Sequence, residues 1–195
     1  MRFSAKDTQP VAWKNGGGRT RELARHQEGV PASGRSKGRM VWRISLADID
    51  VSGPFSAFPG LARIHTVVAG AGHRLTGEGV TLVAQPLKPL VFDGALALDC
   101  QLIGGSCQAF NVIYDPELVQ AKARVLRAGE WPVDGAADWA AGADCHVVFV
   151  AEGSLTLDGH GTLSNGEGRT LDSAVRGEIS DDGAVILVRF ALVRA

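Results

Sequence analysis

Three features of the first sixty-five residues could grip a small anion. The first is WKNGGGRT (13–20), where Trp13, Lys14 and Asn15 precede Gly16, Gly17 and Gly18, with Thr20 close behind. One tight turn needs one or two glycines, so three in a row point to a close approach to the backbone. Successive bare N–H groups can also form an anion-binding nest. The plainer reading is a glycine-rich hairpin with Trp13 as a core anchor. The second feature, GPFSAFPG (53–60), brackets Phe55 and Phe58 between Gly-Pro and Pro-Gly, and reads equally as a packed turn. The third is a pair of arginines, Arg43 and Arg63, each inside a strand-like apolar run. In a sheet buried on one face they meet water. In a closed barrel they point into the lumen, where an unpaired cation is expensive and implies a partner.

Arginine's planar fork suits carboxylates. Period-two alternation puts Arg43 and Ser45 on one strand face, and Arg63 and His65 on another. If both faces line one barrel, two guanidiniums converge with Lys14 and the Gly16–Gly18 amides. Trp13, Phe55 or Phe58 would then pack against a ligand carrying one or two carboxylates.

Other signatures are incomplete. Gly34-Arg35-Ser36-Lys37-Gly38 has the letters of a nucleophile elbow, but it lies in a polar loop (26–39) without the strand and helix that such a turn requires. There is no complete G-x-G-x-x-G and no Walker loop. The five histidines include no H-x-H and no H-E-x-x-H. A metal needs three or four converging ligands, and His65 with His73 supplies two. The expectation is no metal and no cofactor, with His65 the one acid–base candidate near the motifs.

The elements that must position these residues are strands. Asn15-Gly16, Asp93-Gly94, Asp134-Gly135, Asp158-Gly159, Asn165-Gly166 and Asp182-Gly183 are tight-turn dipeptides between alternating segments. MVWRISL (40–46), ARIHTVV (62–68), ALALDCQL (95–102) and AVILVRFALV (184–193) are such segments. The best helical candidate, 115–127, reads as one turn capped by Asp115 and Pro116 that runs into a strand. Many short strands with regular turns predict an all-β sandwich or barrel. VAGAGHRLTG (68–77) also lies over VAEGSLTLDG (150–159) without gaps, a faint repeat that would mean two similar barrels.

The 195 residues are 45% apolar and 21% charged, with a net charge of −1, which excludes an overall electrostatic grip on nucleic acid or an anionic membrane. The longest apolar stretches are strand-sized. MRFSAKDTQP lacks a signal-peptide core, and three cysteines without a CxxC argue against a disulfide scaffold, so a cytoplasmic location is expected.

WKNGGGRTRELA, WRISLADIDVSGPFSAFPGLAR, PLVFDG and CQLIGGSCQAFNVI together resemble the HutD/Ves family of bacterial cupin-like proteins. The likeness runs from about residue 10 to about residue 115. It implies a bicupin, two small jelly-roll-like β-barrels in tandem with very little helix. The expected division is a first barrel at 1–115 and a degenerate second one at 116–195, with strands open to exchange between them. The resemblance also implies a regulator of histidine utilisation that binds a small acid such as formylglutamate. Carried over by position, the expected ligand-binding set is Trp13, Lys14, Asn15, Gly16, Gly17, Gly18, Thr20, Arg43, Ser45, Phe55, Ser56, Phe58, Gly60, Arg63 and Asn111, joined by His65. The rival reading is a cupin-type isomerase or hydrolase acting on a related acid. No nucleic-acid or membrane partner is expected, and a homodimer is left open.

Overall fold

A computed structural model describes residues 1–28, 38–131, 145–173 and 175–193. Most of the polar loop 26–39, the Gly34–Lys37 motif and the Asp134-Gly135 turn lie outside these residues. The strand pairs of known register are antiparallel, and no helix occurs among the described residues. At Asp115 the expected turn is present. Its carbonyl accepts from Leu118 N (3.1 Å) and Val119 N (2.9 Å), its carboxylate accepts from Glu117 N, and the chain then enters a strand.

The chain divides into two compact units. The unit Thr8–Gln120 contains two sheets. The larger has the order β2 (Val11–Ala12), β3 (Gly18–Glu28), β4 (Arg39–Ile49), β11 (Cys107–Tyr114), β6 (Ala62–Ala69), β9 (Leu90–Asp93). The smaller has the order β5 (Gly53–Phe55), β10 (Leu98–Leu102), β7 (His73–Gly77), β8 (Val80–Ala84). β7 and β10 alternate strictly, with His73, Leu75, Leu98 and Cys100 inward and their neighbours exposed or half-exposed. Leu75, Leu98 and Cys100 join Ile49, Phe55, Val67, Ala84, Cys107 and Ala109 in one cluster.

The second unit comprises Met1–Asp7 and Ala121–Ala195. One sheet has the order β1 (Arg2–Ser4), β16 (Glu167–Leu171), β13 (Cys145–Glu152), β18 (Ala184–Leu192), β12 (Val119–Leu126). The other has the order β15 (Gly161–Ser164), β14 (Ser154–Leu157), β17 (Gly177–Ile179). The first seven residues thus stand apart from the division at residue 115, because β1 pairs with β16.

The two units share one connectivity. β6 pairs with β9 and β11 as β13 pairs with β16 and β18, and β7 pairs with β8 and β10 as β14 pairs with β15 and β17. The repeat is therefore topological as well as sequential, with one adjustment. Leu75 and Leu157 are equivalent core residues, but in the preceding strand Val150 faces inward as Val67 does, while the sequence overlay matched it to Val68. The connection is shorter in the second unit, one glycine (Gly153) against Gly70-Ala71-Gly72, and that shifts the pleat by a residue.

The first and third of the successive glycines have separate causes. Gly16 has φ +71°, a left-handed conformation suited to glycine. Gly18 opens β3 so close to β4 that a Cβ would lie 2.2 Å from the Asp48 carbonyl oxygen and 3.2 Å from the Trp13 ring. What approaches the backbone at Gly18 is the neighbouring strand. Gly18→Ala should therefore lower unfolding stability by about 1–3 kcal/mol, the range for overpacking. A urea midpoint equal to wild type would contradict this.

Candidate functional site

Strand register puts the two arginines on one row. Ile113 of β11 sits opposite Arg43 of β4 on one side and Arg63 of β6 on the other. One step along, Asn111 sits between Ser45 and His65. With strands spaced by about 4.8 Å, the two arginine Cα atoms are roughly 10 Å apart on the same face. Both side chains enter the interior of this unit, where they line a pocket of about 40 Å³. Its walls are Trp13, Thr20, Arg43, Ser45, Ala47, Phe55, Ser56, Phe58, Arg63, Asn111 and Ile113.

Arg63 is 6% exposed. Its Nε and Nη2 both donate to Asn111 Oδ1, at 3.0 and 2.6 Å, and Nη1 reaches the Ser56 carbonyl at 3.5 Å. Its guanidinium lies 4.2 Å from the centre of the Phe55 ring, with Phe58 and Phe92 at 5.7 and 5.6 Å. Among the described residues no carboxylate forms an ion pair with it. Burial, and then repulsion from Arg43, push its pKa down to about 9, so it stays charged at neutral pH. Arg43 lies over Phe58 at 5.3 Å, and its buried Nε has no hydrogen-bond partner. Burial lowers its pKa, and the attraction of Glu22 opposes that shift.

Behind Asn111 runs a chain of neutral groups. His65 Nδ1 is 2.7 Å from Asn111 Oδ1, His65 Nε2 is 3.0 Å from His73 Nε2, and His73 Nδ1 is 3.4 Å from Cys107 Sγ. Both imidazoles are fully buried. Burial, followed by repulsion from Arg63 and His73, holds the His65 pKa well below its ordinary value. Burial and then Arg63 bring that of His73 to about 4. Burial also raises the Cys107 thiol to about 11.

The glycine loop closes on itself. Gly16 N donates to the Trp13 carbonyl and Gly17 N to Asn15 Oδ1, both at 3.0 Å, so these two amides are not free for a ligand. The loop is tied to β3 through Trp13 Nε1, which donates to Thr20 Oγ1 at 2.7 Å, and to the segment after β4 through the Gly17 carbonyl, which accepts from Asp50 and Val51 N. Trp13, Asn15, Gly16, Gly17 and Phe55 line a second pocket of about 150 Å³ with Ser52, Gly53, Pro54 and Cys100 among its other walls.

The structure thus gathers Trp13, Thr20, Arg43, Ser45, Phe55, Ser56, Phe58, Arg63 and Asn111 around the arginines. It sets Asn15, Gly16 and Gly17 at the neighbouring pocket. Lys14 and Gly60 are exposed and line neither, Gly18 is a packing position, and His65 lies behind Asn111. Sequence reasoning weighed His73 with His65 only as an insufficient pair of metal ligands and left it out of the site, and it missed Cys107 and Phe92. The alternation of β7 carried the signal for His73, since it puts His73 on the face of Leu75. No group of three His, Cys, Asp or Glu residues able to hold a metal occurs among the described residues.

Comparison with known proteins now places the chain. The family model described as HutD matches residues 5–187. The chain belongs to the HutD family. HutD of Pseudomonas fluorescens SBW25, solved in a formate condition, superposes with a TM-score of 0.80 over 100% of this chain and 99% of that one, at 28% identity. An uncharacterized 21.2 kDa protein of Pseudomonas putida, encoded in the hutC 3′ region, is 41% identical over 125 residues, which cover 60% of each protein. Oxalate decarboxylase of Bacillus subtilis is 12% identical with a TM-score of 0.61, covering 97% of this chain and 76% of that one, and shares the fold alone. The fold is the bicupin.

The neutral histidines make this HutD-family chain acid-sensitive. The unfolded chain protonates its histidines near pH 6.5, whereas in the folded chain His73 is held down to about pH 4 and His65 well below its ordinary value. Each folded-state pKa is lowered, so the charged form is penalised only in the fold, and stability falls as pH drops below about 6.5. The slope approaches about 1.4 kcal/mol per pH unit for each histidine. Denaturation midpoints at pH 7, 5.5 and 4.5 should fall, and less steeply in His73→Leu. Equal slopes for the two proteins would mean that His73 is already charged in the fold.

Proposed function

We propose that this chain is a metal-free binding protein for a small carboxylate, acting as a regulator of histidine utilisation, with formylglutamate as the model ligand. The observation that carries the reading is the buried Arg63 guanidinium. Its hydrogen-bond partners are uncharged, and a second cation, Arg43, lies on the same row. Two guanidiniums in a dry interior repel each other, and an anion between them relieves both burdens. A pocket of 40 Å³ holds about three water-sized groups, which suits one carboxylate head. The rest of the acid would extend past Trp13 and Phe58. The pathway assignment draws on the P. putida relative in the hutC 3′ region.

Binding is favoured over turnover because an acid–base catalyst must come within hydrogen-bond reach of the reacting group. His65 and His73 line neither pocket and donate or accept within their own chain.

A thermal-shift titration with N-formylglutamate, glutarate and formate tests the reading. At 100 times Kd a ligand adds about 2.7 kcal/mol, equivalent to a rise of roughly 5–11 °C for a chain of this size. Arg43→Lys and Arg63→Lys keep the charge but lose the fork, and should each weaken binding by about tenfold or more. Asn111→Asp supplies an internal anion to Arg63. It should abolish the ligand response in a variant that still melts cooperatively, at the loss of the bond to the Ala109 carbonyl. No shift with any of the three acids, or Lys variants that bind as well as wild type, would overturn the assignment. Conversion of formylglutamate to product in the same mixture would favour the isomerase or hydrolase.

A further inference from the structure

The polar groups around Arg63 have only one self-consistent proton arrangement, and it bears on what the pocket accepts. Arg63 has donors and no acceptors, so the Asn111 atom that meets its Nε and Nη2 must be the oxygen. The amide is thereby oriented, and its Nδ2 donates to the Ala109 carbonyl at 3.1 Å. The same Oδ1 lies 2.7 Å from His65 Nδ1, and an amide oxygen only accepts, so His65 carries its proton on Nδ1. A neutral His65 then offers a lone pair on Nε2, and His73 must donate to it from its own Nε2. His73 Nδ1 is left as an acceptor for the Cys107 thiol. The direction is set from end to end: Cys107 to His73, His73 to His65, His65 to Asn111.

One oxygen thus receives three N–H groups inside a fully buried network. Free rotation of Asn111 would bring its NH₂ against the guanidinium and leave His65 Nδ1–H without an acceptor. Buried networks of this kind are rigid when every member is satisfied. With Asn111 Oδ1 fully occupied, Arg43, whose Nε has no hydrogen-bond partner, and Arg63, whose Nη1 meets the Ser56 carbonyl at 3.5 Å, keep spare charged donor capacity among the residues that line the 40 Å³ pocket.

We propose that His65 and His73, backed by Cys107, are positioning residues that lock the Asn111 oxygen onto Arg63, so that the pocket selects an ionised carboxylate over the amide of the same shape. The selectivity part rests on the carboxylate-binding reading above; the proton arrangement stands by itself. An amide offers the guanidiniums one uncharged acceptor and an NH₂ group, and loses charge assistance at both forks.

Long-range ¹H–¹⁵N spectra of the histidine rings of the wild-type protein test the lock directly. The expected pattern is a neutral Nδ1–H tautomer for His65 and a neutral Nε2–H tautomer for His73. The opposite tautomers, or an imidazolium at neutral pH, would overturn the proposal whatever binds. The selectivity is read by calorimetric titration with glutarate and with glutaramide, its neutral diamide. Wild type should prefer glutarate by about 10- to 100-fold. His65→Leu should bring that ratio to within a few-fold of one, and His65→Asn, which restores a donor near Nδ1, should recover most of it. A folded His65→Leu that keeps the wild-type ratio overturns the positioning role and leaves carboxylate binding intact. Glutarate and N-formylglutamate both failing to bind wild type would instead remove the function proposed above and the selectivity with it.

Discussion

A guanidinium buried without a carboxylate is the constraint on which the interior of the Thr8–Gln120 unit depends. Transfer of such a charge from water carries a penalty of several kcal/mol even after relaxation. Arg63 meets it with the faces of Phe55, Phe58 and Phe92 and the oxygen of Asn111. Aromatic faces attract cations without accepting a proton or neutralising them, so the net positive charge persists. The neighbouring imidazoles would add to that charge if protonated, and burial keeps them neutral. The result is an interior that is polar, internally hydrogen-bonded and still short of an anion.

The second unit has the same strand plan and a different interior. By pairing and facing, the positions equivalent to His65, His73 and Asn111 are Val148, Leu155 and Leu187. All three belong to a cluster that also contains Leu157, Leu163, Ile179 and Val185. An aliphatic core needs no hydrogen-bond bookkeeping, and packing alone stabilises it. Among the described residues, the network of Arg63, Asn111, His65 and His73 thus has no counterpart at the equivalent positions of the second unit. The contrast shows that this sheet plan tolerates either solution.

Much of this was legible in the sequence because strand alternation is a strict rule. It paired Arg43 with Ser45 and Arg63 with His65, and the five turn dipeptides among the described residues fall between strands or at a strand end. The resemblance of the first 115 residues named the fold. What could not be read was lateral register. Nothing local in CQAFNVI says that Asn111 of β11 stands between Ser45 and His65, because sheet neighbours are distant in sequence. The same blindness hid His73, whose partner lies across a glycine turn in the other sheet. The triple glycine was read as a cradle, whereas two of its amides serve the loop and its third glycine makes room for Asp48. Glycine marks a close approach and does not say by what.

The pairing of β1 with β16 carries a consequence for synthesis. Phe3 lies opposite Gly168, and its ring occupies the space that a side chain at 168 would need. Arg2–Ser4 therefore leave the ribosome some 165 residues ahead of their partners. At about 5–20 residues per second that is a wait of roughly 8–33 s. During it the Thr8–Gln120 strands, all present by residue 120, can assemble while the leading segment stays an unpaired edge. Order of emergence and order of pairing are thus inverted for this strand: it emerges ahead of the Thr8–Gln120 strands and can pair only after residue 169 has followed.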